Sequence, residues 1–556
     1  MLGAYLSPLA PAAALLLSAF ILPILIPLLP ALWRAYPWIR SFGIPGLVGL
    51  ATLTLLGIRL TTGEEISDRG LELLSSWNFS TPTSAVALLI RADSLSLAFL
   101  IITMLSLLAV TLLIAKPTVT PNDQIQVTGW LVMGAGACFL FVSGNNLTLI
   151  FGLLAFDIFT ALYWLGRGQP GWAGARLFLG IFSAFGLMFA MAAPAGGQTL
   201  GLLSLGLVLW VRLALYPILE MAAQGDWSQD ERLIYLCLSL ATAIYLVTRA
   251  VRVTLPDFIY WLTALSMLLA GLLAWLVNSH APKQNQAEDK EPMPEINGTR
   301  SWLLTWLALT ETLLIFVAAP LSVEIAAVFT VGLILSLVAL WVTPPLGRPQ
   351  LQEGAWSWPY LPAVGATITL IGLPLSLGWL PKLTIYQSLL ALNGELFISM
   401  VILAELFAFT GLVRYWLILW QGHEINSRRS MVGIVVMVPF LIPLFGPFIL
   451  TTLTEMDLAV MPVSPSPVDM VIFAILIFGA VALNYFRTQI MMSLKIPTGR
   501  IAGLVSLEWL LTRWQRLLDW LGRSMLRIPV ILEGQHYIGW AVFIALIGAL
   551  IILLSE

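Results

Sequence analysis

Residues 372–382 read Gly372-Leu-Pro-Leu-Ser-Leu-Gly-Trp-Leu-Pro-Lys382, with apolar runs on either side. Pro374 and Pro381 each remove a backbone donor, and Gly372 and Gly378 loosen the chain, so a helix arriving from residue 358 breaks here and resumes toward residue 392. A broken apolar segment that ends on a lysine suits a membrane bundle, where neighbouring protein re-satisfies the freed carbonyls and amides. Facing lipid, the same lysine would cost about 3 kcal/mol on insertion scales.

The rest of the chain has the same character. Its 556 residues are 59% hydrophobic and 10% charged, with a mean hydropathy of +0.93, whereas a soluble domain is nearer a quarter charged. Bilayer-length apolar stretches fall at roughly 5–32, 43–60, 90–115, 124–142, 147–165, 174–193, 198–216, 231–250, 257–277, 301–319, 321–343, 358–392, 396–420, 430–452, 468–486 and 535–554. The expected fold is an all-α polytopic membrane protein of about sixteen transmembrane helices, with broken helices near 198–220 and 358–392. Met1–Pro30 lacks the basic start and cleavage site of a secretory signal and reads as a retained first helix.

Several function classes drop out. A net charge of −2 suggests no nucleic-acid partner. Cys138 and Cys237 sit in apolar stretches, and His280, His423 and His536 show no ligand spacing, so neither a metal site nor a cofactor is expected. Asn278–Arg300 is the clearly hydrophilic linker, and it divides the spans into two sets. Near 500–527, Trp and Leu alternate with Arg at helical spacing, the pattern of an amphipathic helix on the membrane surface. Lys and Arg concentrate on one side: Arg34, Arg40, Lys116, Arg167, Arg176, Lys283, Lys290, Arg300, Arg348, Arg428, Arg429, Arg487 and the 495–527 cluster. Arg59, Arg69, Arg249 and Arg252 lie opposite; the positive-inside rule makes the first side cytoplasmic and both termini exoplasmic or lumenal.

Charges inside spans need a reason to be there. They are Asp157, Arg212, Glu311, Glu324, Lys382, Glu405 and Arg414. Glu405 and Arg414 share a helix more than two turns apart, and with Glu324 they read as structural pairs or snorkelling groups. The other four form a pattern. Asp157 is followed two spans later by Arg212 and Pro217, and Glu311 is followed two spans later by Lys382 beside Pro374 and Pro381. One acid and one base per half, each base beside a broken helix, points to inverted repeats with sites near the midplane. Protons are the natural cargo of such a path, and no substrate-sized polar pocket is visible in the sequence.

Three stretches resemble the antiporter-like, proton-conducting membrane subunits shared by respiratory complex I, its photosynthetic and hydrogenase relatives, and the multisubunit Na⁺/H⁺ antiporters. Arg91-Ala-Asp-Ser-Leu-Ser-Leu97 is similar to the segment leading into the family's third helix. Arg212 to Pro217, then Leu233-Ile-Tyr235 and Ala243-Ile-Tyr-Leu-Val-Thr-Arg249, follow its Lys-x-x-x-x-Pro segment and eighth helix. Gly372 to Lys382 resembles its Gly-(Ile/Leu)-Pro-x-x-x-Gly-(Phe)-x-x-Lys motif across the broken twelfth helix, with Gly372, Pro374, Gly378 and Lys382 in register. The departures are Asp157 for the family's glutamate, Arg212 for its lysine, Ala241 and Tyr235 where the eighth helix carries Lys or His, an eleventh helix without a basic centre, and Leu219-Glu-Met-Ala-Ala-Gln-Gly-Asp226 for its Trp-Leu-Pro-Asp-Ala segment.

The resemblance implies N-terminal transmembrane helices over 1–120, a first antiporter-like repeat over 121–255, and a second over 256–422 that includes the linker 278–300. C-terminal helices, with a lateral helix at 500–527, fill 423–556. It implies a proton path of Asp157, Arg212, Glu311 and Lys382, broken-helix positions Pro217, Gly372, Pro374, Gly378 and Pro381, and no catalytic chemistry of the chain's own. The expected function is proton translocation, with Na⁺ as the other cargo, inside a complex-I-like or cation-antiporter assembly. Its partners are then other membrane subunits and the lipid bilayer, in a bacterial plasma or thylakoid membrane. The alternative is a degenerate structural subunit of such a complex. Arginine keeps its proton at any working pH while lysine can release one, so only the second half is expected to switch.

Overall fold

The computed structural model describes residues 10–28, 46–52, 71–72, 89–90, 93–114, 121–192, 198–215, 217, 229–250, 255–276, 294–319, 323–343, 360–374, 376–391, 395–421, 467–493, 520 and 524. Helices α1 (Ala10–Leu28), α2 (Ser94–Ile114), α3 (Pro121–Phe141), α4 (Asn146–Gly166) and α5 (Pro170–Ala192) come first. Then follow α6 (Gln198–Trp210), a π-helical segment (Val211–Leu215), α7 (Gln229–Ala250) and α8 (Asp257–Leu276). The second set is α9 (Pro294–Ala318), α10 (Val323–Val342), α11 (Leu361–Ile371), α12 (Trp379–Ala391), α13 (Glu395–Gln421), α14 (Pro467–Tyr485) and α15 (Arg487–Ser493). A two-residue antiparallel ribbon sets Leu71 opposite Ile90 and Glu72 opposite Leu89, and Ile90 also bridges Ser143.

Helix starts follow local chemistry. Pro121, Pro170, Pro294 and Pro467 take first positions, where a missing N–H costs nothing. Asp93 and Asn145 stand just before α2 and α4, and their side chains accept from the backbone N–H of Ser96 and Thr148, each at 2.8 Å. Among the described residues nine helices are long and apolar enough to cross a membrane: α2, α4, α5, α7, α8, α9, α10, α13 and α14. The chain is an all-α polytopic membrane protein. One continuous apolar core runs from α1 to α13. The span of α10 is wholly buried in it, whereas 28% of that of α14 is, which puts α10 at the centre and α14 at the rim. Phe178, Phe182, Phe185 and Phe189 form an exposed stripe along α5, an apolar face matched to lipid rather than water.

Two boundary expectations change. The linker expected over 278–300 gives way to α9 at Pro294, so Arg300 is a helical residue, 5% exposed. Arg176, counted above among loop cations, lies inside α5 at 1% exposure. In both cases the helix starts before the cation, at a proline whose fixed φ and missing N–H suit the first helical position. The rest of the linker to residue 293, the expected spans 430–452 and 535–554, both termini, the side chain of Glu324, and the lateral helix apart from Trp520 and Ser524 lie outside the described residues.

Candidate functional site

The first cluster forms where α4, α5 and the π segment meet. Asp157, in the middle of α4, is 1% exposed. Arg212 grips it with both terminal nitrogens: Nη2 pairs with Oδ2, and Nη1 donates to Oδ1 at 3.2 Å. Arg212 Nε donates to Ser183 Oγ at 2.9 Å. A second arginine, missed by sequence reasoning, joins from α5: Arg176 Nε lies 2.8 Å from Asp157 Oδ1, and its Nη1 donates to the Tyr235 hydroxyl at 3.0 Å. Gly180 makes room, since a Cβ there would sit 2.8 Å from Asp157 Oδ2. The broken helix expected near 198–220 appears as the passage from α6 to the π segment ahead of buried Pro217. Proline has no N–H for the carbonyl of residue 213, and a local π turn is one way to absorb that loss. By formal charge this cluster, two arginines on one carboxylate, is +1.

The second cluster sits at the break the sequence announced. α11 ends at Gly372, whose φ of 79° is left-handed and whose N–H reaches the carbonyls of Ile368 and Thr369. The chain then doubles back so closely that a Cβ on Gly378 would lie 1.9 Å from the Thr369 oxygen. α12 begins at Trp379, with Pro381 in its first turn, and delivers Lys382, which is 0% exposed. Its Nζ donates to Glu311 Oε1 at 3.0 Å and to Glu405 Oε2 at 2.6 Å. The Tyr386 hydroxyl lies 3.4 Å from the same Glu405 oxygen. The ring centroids of Phe409 and Phe329 stand 4.5 and 5.5 Å from Nζ. Glu405, read from sequence as a structural pair or snorkelling group, is thus the second acid on Lys382. By formal charge this cluster, one ammonium and two carboxylates, is −1.

The structure therefore brings Asp157 to Arg212 and Glu311 to Lys382, and keeps Arg414 apart. Arg414 Nη1 donates to the Trp275 carbonyl at 2.9 Å. Helical spacing could show that Glu405 and Arg414 do not touch, but not which neighbour each one faces. Arg176 could have been found as the cation one helix after Asp157; its nearness to the loop hid it. Other, partly exposed pairs tie helix ends together: Arg167 with Glu231 at 2.7 Å, and Arg249 with Asp93 at 2.5 Å. A cavity of about 400 Å³, lined by Ser143, Asn145, Asn146, Leu187, Met191 and Arg249, opens at the start of α4. Asp157 lies roughly 16 Å farther along that helix.

No family model and no curated protein sequence matches the chain. Solved structures do. A chain of the Mrp complex from Dietzia sp. superposes with a TM-score of 0.61 at 13% identity, over 93% of this chain and 62% of that one. A chain of respiratory complex I from Thermus thermophilus superposes with a TM-score of 0.56 at 15% identity, over 80% of this chain and 99% of that one. The chain thus spans less than two thirds of the length of the Mrp-complex chain, and at these identities the likeness is one of fold.

Proposed function

We propose that this chain is a proton-translocating, antiporter-like membrane subunit of a larger assembly of the complex-I or Mrp type. The observation that carries the reading is the fully buried Lys382 ammonium at a helix break, held between Glu311 and Glu405. A buried charge cluster is a weak device for stability, because desolvation offsets most of its Coulombic gain. In a spanning bundle, interior ionisable groups mark proton and ion pathways. The folds of the two solved chains support the reading. We assign the chain the two repeats over 121–255 and 256–422, about sixteen spans, H⁺ rather than Na⁺ as cargo, and neighbouring membrane subunits as partners.

A second reading, a structural subunit with a decayed path, is favoured by the first cluster. Its one carboxylate is held by two guanidinium groups, Arg176 and Arg212, with no lysine or histidine in place of either, and Ala241 offers no group beyond them. The first half is therefore assigned a fixed-charge role and the second half the conducting one. In the intact complex reconstituted into vesicles, Lys382→Ala should abolish proton flux while assembly is retained. Unchanged pumping per electron in that variant would hand the chain to the structural reading.

A further inference from the structure

We propose that the proton carried at the second site rides on its carboxylates, with Glu405 as the second proton-binding acid and Lys382 as a standing ammonium. This rests on the translocating reading above and changes which group titrates.

The argument is charge counting in a dry site. Glu311, Lys382 and Glu405 are each 0% exposed. With all three ionised the site is −1, and uncompensated charge in such a place is costly. No other described cation faces it. Arg212, on the π segment packed against α9, is spent on Asp157. Arg300, at the far end of α9, serves the carbonyls of Leu340, Trp341 and Thr343. Arg414, nine residues along α13 from Glu405, serves Trp275. Asp469 of α14 accepts from Gln387 Nε2 at 2.7 Å, and Glu231 of α7 pairs with Arg167, while Glu395 and Asp257 stand in the first turns of α13 and α8.

Removing a proton from Lys382 would drive the site to −2, whereas adding one to a carboxylate brings it to zero. The carboxylate oxygens have room for it. Among the described residues Glu405 Oε1 and Glu311 Oε2 lack a hydrogen-bond partner, although the latter lies 3.0 Å from the ammonium in ion-pair contact. A hard metal cation would need a shell of several oxygens. Here two of the walls are the rings of Phe329 and Phe409, and no group of three His, Cys, Asp or Glu occurs among the described residues. A proton needs one lone pair. The step is a carboxylate taking H⁺ from water on one side and returning it to water on the other, with no bond but O–H made or broken. The unloaded site, at −1, is the counterpart of the +1 cluster around Asp157, whose π segment packs on the helix that carries Glu311.

Infrared difference spectroscopy on the reconstituted intact complex tests this. The unsubstituted protein should show a protonated-carboxyl C=O band at working pH, lost in both Glu311→Gln and Glu405→Gln, because either variant leaves one carboxylate balanced by one ammonium. Lys382→Arg should keep the band, since arginine preserves the standing charge. Glu405→Gln should also bring flux to background. No band in the unsubstituted protein, or a band indifferent to Glu405→Gln, overturns the proposal. Flux lost in Lys382→Ala without any carboxyl band would leave the transport reading standing and remove only this assignment. A band accompanied by unchanged flux in Lys382→Ala takes down both.

Discussion

At the scale of single residues, the two clusters differ in which partner is dispensable. Asp157 faces two guanidinium groups, so Arg212→Lys keeps a positive charge on the π segment and leaves Arg176 paired at 2.8 Å. Asp157→Asn instead strands two buried cations at once. Removing one partner of a buried pair costs about 3–5 kcal/mol, and here the orphans face each other. The expected order is therefore a larger loss of thermal stability for Asp157→Asn than for Arg212→Lys, read by unfolding of the purified protein in detergent. The reverse order would mean that Arg176 does not share the load. Asp157, Glu311 and Lys382 were legible as residues of interest because a charge within an apolar run is conspicuous and expensive. Arg176 was not, and Glu405 stood out as an interior charge but not as a partner of Lys382. A cation six residues into a helix reads like a loop cation, and a sequence does not say which of several neighbouring helices an interior acid points toward.

At the scale of elements, arginines close the ends of neighbouring helices. The last four carbonyls of a helix have no partner within it. Arg300 of α9 sets its Nη2, with two N–H donors, among the carbonyls of Leu340, Trp341 and Thr343 at the end of α10 and the Tyr415 hydroxyl, 2.9 Å away. Arg414 and Arg487 do the same for Trp275 and Leu276 at the end of α8. Cations at C-terminal ends also match the helix dipole, so these groups hold helices together without entering the conducting site. The α11–α12 break is held differently, by close backbone approach and by Ser376 Oγ, which donates to the Leu373 carbonyl at 2.7 Å. Gly378→Ala would push a methyl to 1.9 Å from the Thr369 oxygen, and overpacking of that kind costs about 1–3 kcal/mol. Gly46→Ala, with nothing among the described residues within 4 Å of the new methyl, is the control and should leave unfolding unchanged. Equal melting temperatures for the two variants would show that the break can open without penalty. This break was readable because Gly and Pro punctuate it. The π segment was not, since a one-residue change of hydrogen-bond register leaves no mark in composition, and Pro217 signals only that some change occurs.

At the scale of the whole molecule, hydropathy makes the spans legible one at a time, but their neighbours depend on three-dimensional fit. The approach of α8 to α13, where a Cβ on Gly271 would lie 2.3 Å from the Ala404 oxygen, has no sequence signal beyond a glycine in an apolar run. That approach is nevertheless what sets Glu405, the next residue, against Lys382. The two faces of the bundle are easier to argue. Arg249, Asp93 and Asn145 mark one end, and Arg167 with Glu231 marks the other. Arg300 lies in the helix that follows the linker in sequence, and Arg487 donates to the carbonyl of Leu276, the last residue of α8 before it. Lys and Arg are retained on the cytoplasmic side during insertion, so the expected orientation has residues 278–293 on the cytoplasmic side and the Arg249 end outside. A cysteine introduced by Gln286→Cys should then react with a membrane-impermeant maleimide only after the membrane is permeabilised. Cys138 and Cys237 are buried and should stay silent, so any signal reports position 286. Labelling from outside intact cells would invert the molecule, putting the cavity at the start of α4 on the cytoplasmic side.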